Sequence, residues 1–170
     1  MTWPGKRAQF EELVSASLPA ALRLAVRLTG RLDAAEELVQ EAMLSASRSW
    51  KTYRGEARFQ TWLFRIVVNS FRDQLARRAK PKTLVEEVID PGQQSPSDAA
   101  IAGELSQMVA RCVSGLPARQ REVIVLSAYE GLEAGDIAEV LSTSIENVYS
   151  TLSVARGKLR QQLETYLAER

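Results

Sequence analysis

Between positions 59 and 75 the apolar residues Phe59, Trp62, Leu63, Ile66, Val67, Phe71 and Leu75 recur at intervals that place them on one side of an α-helix. A helix with so continuous an apolar stripe has to bury it against other helices, and the preceding sequence supplies two. Phe10, Leu13, Val14, Leu18, Leu22, Ala25 and Val26 follow helical spacing up to Gly30, a natural stop, with Pro19 as a point of kinking. Asp33 then reads as the cap of a second helix, Glu36 completing an acidic capping box, with Leu38, Val39, Ala42, Met43 and Trp50 facing inward.

The strip KPKTLVEEVIDPGQQSPSD over residues 80–98 holds three prolines and a glycine among polar residues, the composition of an extended, flexible tether. Beyond it the helical pattern resumes at residues 99–114 and stops at Gly115. Leu116 and Pro117 open ARQREVIVLSAYEGL, read as one helix, and AGDIAEVL is a second, with Gly135 inside it at a cost of about 1 kcal/mol relative to alanine. The tripeptide STS at 142–144 makes a turn into a long helix whose Ile145, Val148, Leu152, Ala155 and Leu159 face inward, Thr143 and Glu146 forming its capping box. The expected fold is therefore all-α: two small helical domains, 1–80 and 99–170, joined by a linker at 81–98. Short helix, tight turn and longer helix fit a DNA-binding helix-turn-helix, and on spacing alone they also fit a plain helical hairpin.

Hydrophobic residues are 45% and charged residues 25% of the chain, a balance that favours a globular protein over a disordered one. No long tract lacks charge, Arg23 and Arg27 interrupting the most apolar one, and no signal-type apolar core stands at the N-terminus, so a cytoplasmic protein without membrane insertion is expected. With no histidine and the single cysteine Cys112, neither zinc ligand sets nor an internal disulfide can be assembled. P-loop, dinucleotide and nucleophile-elbow patterns are missing as well, so no cofactor and no enzymatic activity are expected.

The net charge of +1 conceals an asymmetry: residues 1–80 hold 14 Lys/Arg against 8 Asp/Glu, while residues 99–170 hold 7 against 9. Phosphate contact therefore belongs to the first block. Arg58, Arg65, Asn69 and Arg72 form a stripe beside the apolar one, with Arg77, Arg78 and Lys80 at the helix end. Arginines there suit phosphates or exposed bases and the asparagine amide suits a base edge, although a basic face also keeps a helix soluble. Trp62 belongs to the core, whereas Tyr53 and Phe64, off the main stripe, are candidates to meet a base. Glu37, Gln40, Glu41, Leu44 and Arg48 line the outer face of the second helix, either as a solvated face or as a partner-binding one.

Four strings, AEELVQEAML at 35–44, YRGEARFQTWLFRIVVNSFRDQLARR at 53–78, LPARQREVIVLSAYEGL at 116–132 and DIAEVL at 136–141, resemble in order and spacing the extracytoplasmic-function group of bacterial sigma factors, initiation subunits of RNA polymerase. The resemblance implies that the two blocks are sigma regions 2 and 4. It implies that Glu37, Gln40, Glu41 and Leu44 dock on the clamp helices of the largest subunit of core RNA polymerase. It also implies that Tyr53, Arg58, Arg65, Asn69, Arg72, Asp73, Arg77 and Arg78 hold the minus-10 element as it melts, with a flipped base in a pocket. The linker is then expected to run toward the RNA exit channel, near the flap region, and an anti-sigma factor to cover the polymerase-binding faces.

For the minus-35 element the resemblance points to Ser144, Glu146, Asn147, Tyr149, Ser150, Thr151, Ser153 and Arg156. Here the sequence departs from its family, whose recognition helix carries basic residues in a pattern similar to TVKSRLHRAR where this chain has NVYSTLSVAR. Ser142 also stands where a turn glycine is usual. Fewer basic residues mean fewer phosphate contacts and a shallower salt dependence, at about 0.9 in the log–log slope per phosphate. Altered promoter choice and lost minus-35 binding are equally compatible with this helix. The expectation is a sigma factor that recruits core polymerase to a small promoter set and is held inactive by an anti-sigma factor; the alternative is a sigma-like decoy that titrates an anti-sigma factor without reading DNA.

Overall fold

The computed structural model describes residues 4–79 and 102–169. The expected linker, 81–98, lies outside the described residues, as does the expected start of the second block at 99. Helix is the only regular secondary structure among the described residues. In the first block, α1 (Pro4–Thr29), α2 (Leu32–Ser49) and α3 (Phe59–Ala79) pack mutually into a three-helix bundle. Its core holds Leu24, Leu28, Leu38, Ala42, Leu63 and Val67, all fully buried. α1 runs on through Pro19, whose exposed position lets the carbonyl it leaves unpaired meet solvent. Gly30 ends α1 with φ +74°, and its N–H closes on the Val26 carbonyl at 2.8 Å.

The start of α2 differs from the expected capping box. The cap position is Arg31, in extended conformation with no side-chain capping bond, and Asp33 lies inside the first turn. Its carboxylate accepts from Arg31 Nε and Nη2 and is held below its ordinary pKa by that guanidinium and the Ala34 amide. After α2 a single turn of 3₁₀ helix, Trp50–Thr52, leads into an aromatic cluster of Phe10, Trp50, Tyr53, Phe59 and Trp62, with ring centroids 5.0–6.4 Å apart.

The second block contains α4 (Ala102–Ser114), α5 (Ala118–Ile124), α6 (Ala134–Leu141) and α7 (Ile145–Ala168). The expected single helix over ARQREVIVLSAYEGL is continuous but not regular: α5 widens into a π-turn at Val125–Tyr129 and the segment ends at Gly131, φ +66°. Gly135 falls in the first turn of α6 rather than in its interior, so its conformational cost is smaller than expected. Ser142 takes the left-handed conformation (φ 52°) that ends α6, its N–H and that of Thr143 closing on Glu139 and Ala138 carbonyls. Ser144, not Thr143, caps α7, its Oγ accepting from the Asn147 amide nitrogen at 3.2 Å.

The two blocks are docked. α3 packs on α6, and α1 packs on α4, α5 and the π-turn, so that the buried residues of both blocks form one continuous cluster. A Cβ at Gly30 would stand 2.9 Å from Ser114 Oγ, which marks how closely α1 and α4 approach.

Candidate nucleic-acid interface

On α3, Arg65 and Asn69 point to solvent as spacing requires, with Asp73 and Arg78 further along and Arg58 exposed just before the helix. Arg72 does not belong to that open stripe. Its Nε and Nη2 donate to Glu122 of α5 at 2.9 and 2.7 Å, and Nη1 reaches the Leu141 carbonyl at 3.5 Å. This hydrogen bonding makes Arg72 hold its proton more tightly than an ordinary arginine. Phe64, a candidate for base contact, is fully buried. The reason is that α3 is covered from two sides, by its own bundle and by α6, so its apolar arc is wider than the main stripe. Trp62, expected in the core, is half-buried at its margin. Tyr53 is also half-buried, its ring stacked on Trp50 at 5.5 Å and its hydroxyl donating to the Ala57 carbonyl at 2.8 Å, which fixes the 53–58 loop.

Glu37, Gln40, Glu41 and Leu44 share the outer face of α2, opposite the buried Ala35, Leu38, Val39 and Ala42. Leu44 is 60% exposed, more than an isolated bundle needs of a leucine at mid-helix. Glu41 accepts from Arg77 Nη2 at 2.8 Å, linking this face to the end of α3. Both partners are solvated, so the pair adds little stability, on the order of 0–1 kcal/mol.

On α7, Val148, Leu152 and Ala155 are buried, and Glu146, Asn147, Ser150 and Ser153 point outward, with Tyr149 61% and Val154 51% exposed. Thr151 is half-buried and Arg156 exposed. Glu146 makes none of the expected capping-box bonds; instead Asn147 Nδ2 donates to Thr143 Oγ1 at 3.2 Å and Ser150 Oγ to the Asn147 carbonyl. Ile145, expected to face inward, is 45% exposed because the first turn of α7 projects beyond the helices that cover Val148 and Leu152. The outward face of α7 thus mixes polar and apolar side chains, is nearly uncharged at its N-terminal end, and is left open by the docked first block.

Sequence patterns missed the residues that join the blocks. Glu122 is 1% exposed and bound to Arg72. Arg121 donates to the Leu28 carbonyl at 2.6 Å and the Leu116 carbonyl at 3.0 Å, and burial lowers its pKa. The Arg27 guanidinium lies 3.6 Å from the centroid of the Tyr129 ring. Glu130 is pushed above the ordinary glutamate range by burial, with Arg23 and Arg27 partly offsetting that push. The signal for Glu122 was its position: it directly precedes Val123 and Ile124, in a helix with no other carboxylate.

Family models match both blocks: Sigma-70 region 2 over residues 13–80 and Sigma-70, region 4 over residues 106–159. The chain is 30% identical to the ECF RNA polymerase sigma-E factor of Haemophilus influenzae, over 94% of its own length and 90% of that protein's. It is 34% identical to the ECF RNA polymerase sigma factor SigM of Mycobacterium tuberculosis, over 94% and 79%. Among solved structures, the sigma factor RpoE of Bartonella quintana, crystallised with the anti-sigma factor NepR, superposes with a TM-score of 0.71 at 26% identity, covering 92% of this chain and 97% of that one. With both regions in order and near-complete coverage of these relatives, the chain belongs to the extracytoplasmic-function sigma factors of bacterial RNA polymerase.

Proposed function

We propose that this chain binds core RNA polymerase and directs it to a restricted set of promoters, with a region 2 domain over 1–80 and a region 4 domain over 99–170. The match of both regions in one chain carries this reading. The outer face of α2, with Glu37, Gln40, Glu41 and Leu44, docks on the polymerase clamp helices. The exposed Arg58, Arg65, Asn69, Asp73, Arg77 and Arg78 hold the melting minus-10 strand, joined by Arg72 when the blocks separate, while Tyr53 shapes the adjoining loop. α7 enters the minus-35 major groove with Ser144, Glu146, Asn147, Tyr149, Ser150, Thr151, Ser153 and Arg156. The chain supplies no chemistry of its own, since the polymerase performs the phosphoryl transfer, and it works in the cytoplasm, at the nucleoid once polymerase-bound. An anti-sigma factor holds it inactive by covering the polymerase-binding faces, a reading supported by the similarity to RpoE, which was crystallised in complex with the anti-sigma factor NepR.

The near-neutral start of α7 favours the decoy reading, and the exposed Arg65 and Asn69 oppose it, because a decoy has no use for a DNA-holding stripe. Run-off transcription by core polymerase on a library of promoter fragments separates the two. Starts that depend on this protein and share minus-10 and minus-35 motifs establish the initiation subunit; binding to core with no starts from any fragment establishes the decoy.

A further inference from the structure

Between α5 and α7 lies a cleft of about 230 Å³ whose polar lining is Arg119, Thr143, Asn147 and Thr151 over an apolar floor that includes Val123 and Leu141. Arg119 is exposed and has no hydrogen-bond or ion-pair partner among the described residues. The Thr143 oxygen already accepts from Asn147 Nδ2, so its own proton is free to donate, as are the second amide hydrogen of Asn147 and the Thr151 hydroxyl. No carboxylate lines the cleft, and Glu122, three residues beyond Arg119 on α5, is neutralised by Arg72. A site built of donors and one guanidinium takes an anion with several acceptor oxygens.

Resting on the minus-35 reading, we propose that this cleft seats a backbone phosphate of the promoter duplex, with Arg119 as its cation. A helix about 10–12 Å across fills a major groove about 12 Å wide, so each flank of α7 abuts the phosphates of one strand. From Ile145 to Ala155 the only charged side chain on α7 is Glu146, so cationic contact has to come from elsewhere. On the flank of Asn147 and Thr151 it comes from Arg119, contributed by the neighbouring helix. The opposite flank, a groove lined by Tyr149 and Arg156, also carries Glu133, whose charge disfavours a phosphate there. Arg119 thus restores part of the grip that the recognition helix itself lacks.

The test uses holoenzyme reconstituted from core polymerase and the full chain, with two fluorescein-labelled duplexes cut from the strongest fragment of the run-off selection. One duplex spans minus-35 and minus-10, and the other ends downstream of minus-35. On the longer duplex Arg119→Gln should weaken binding about three- to tenfold at ~0.15 M salt and reduce the log–log salt slope by about 0.9, with no change on the shorter one. Arg119→Lys should restore the slope. An unchanged slope in Arg119→Gln, while Tyr149→Ala weakens the longer duplex, overturns the phosphate seat and leaves the minus-35 reading standing. If wild-type holoenzyme binds both duplexes alike, the minus-35 reading fails and the seat with it.

Discussion

A carboxyl group as buried as that of Glu122 needs a partner at hydrogen-bond distance, and Arg72 provides one from 50 residues away. Removing the cation alone leaves an uncompensated buried charge. Arg72→Ala should therefore destabilise the docked chain by about 3 kcal/mol in urea unfolding, and Arg72→Ala with Glu122→Gln by clearly less. Equal losses in the single and double variants would mean that the pair does not couple the blocks. Arg65 and Asn69 were legible from helical spacing because nothing distant competes for them. Arg72 was not, since its partner lies on another helix that no local pattern announces. Phe64 was misplaced for a related reason: the periodicity of one helix does not show how many neighbours will cover it.

At the level of helices, the expected order, the turn at 142–144 and the inward Val148, Leu152 and Ala155 of α7 were readable, whereas Ile145, expected inward, is exposed, and caps and breaks shifted by a residue or two. Thr143 and Ser144 are equivalent by composition, and only the backbone decides that Ser144 takes the cap. The π-turn at Val125–Tyr129 was invisible because its residues suit an ordinary helix equally well. Ser142 occupies a left-handed conformation that costs a side-chain-bearing residue about 1 kcal/mol or more. Ser142→Gly should raise stability by about 0.5 kcal/mol, part of the relief being offset by the entropy of the unfolded chain, with thermal unfolding as the measurement. The outer faces of α2 and α3 should separate by function. Glu41→Lys should abolish polymerase association while altering stability by under about 1 kcal/mol, since its bond to Arg77 is solvated. Asn69→Ala should weaken promoter melting, read by permanganate footprinting, and leave core binding intact. Loss of core binding in a folded Asn69→Ala chain would refute the assignment of the α3 stripe.

For the whole molecule, two blocks were readable from composition and charge, and their docking was not, because it depends on pairs such as Arg121 with the Leu28 carbonyl, 93 positions apart. Glu130 lies in this docked region with its pKa raised by burial. A carboxyl whose pKa is higher in the folded state than in the unfolded one contributes stability that is fully present below the unfolded pKa and lost as pH rises through the folded one. The Glu130 contribution should accordingly strengthen docking as pH falls from neutrality toward the ordinary glutamate range. Small-angle scattering and urea unfolding across that range should show the trend in wild type and its loss in Glu130→Gln, and an identical pH profile in the two would sink the idea.

The continuous core across the blocks also determines what the stretch between α3 and α4 has to do. Because the mating faces of α1 and α3 with α4, α5 and α6 fix the arrangement, the intervening chain needs only to span the distance from Ala79 to Ala102. Closing a longer loop is inexpensive, each doubling of its length adding only about 0.6 kcal/mol. Foreign sequence spliced into residues 80–101, such as a protease site or a fluorescent reporter, should leave the seams between the helices where they are.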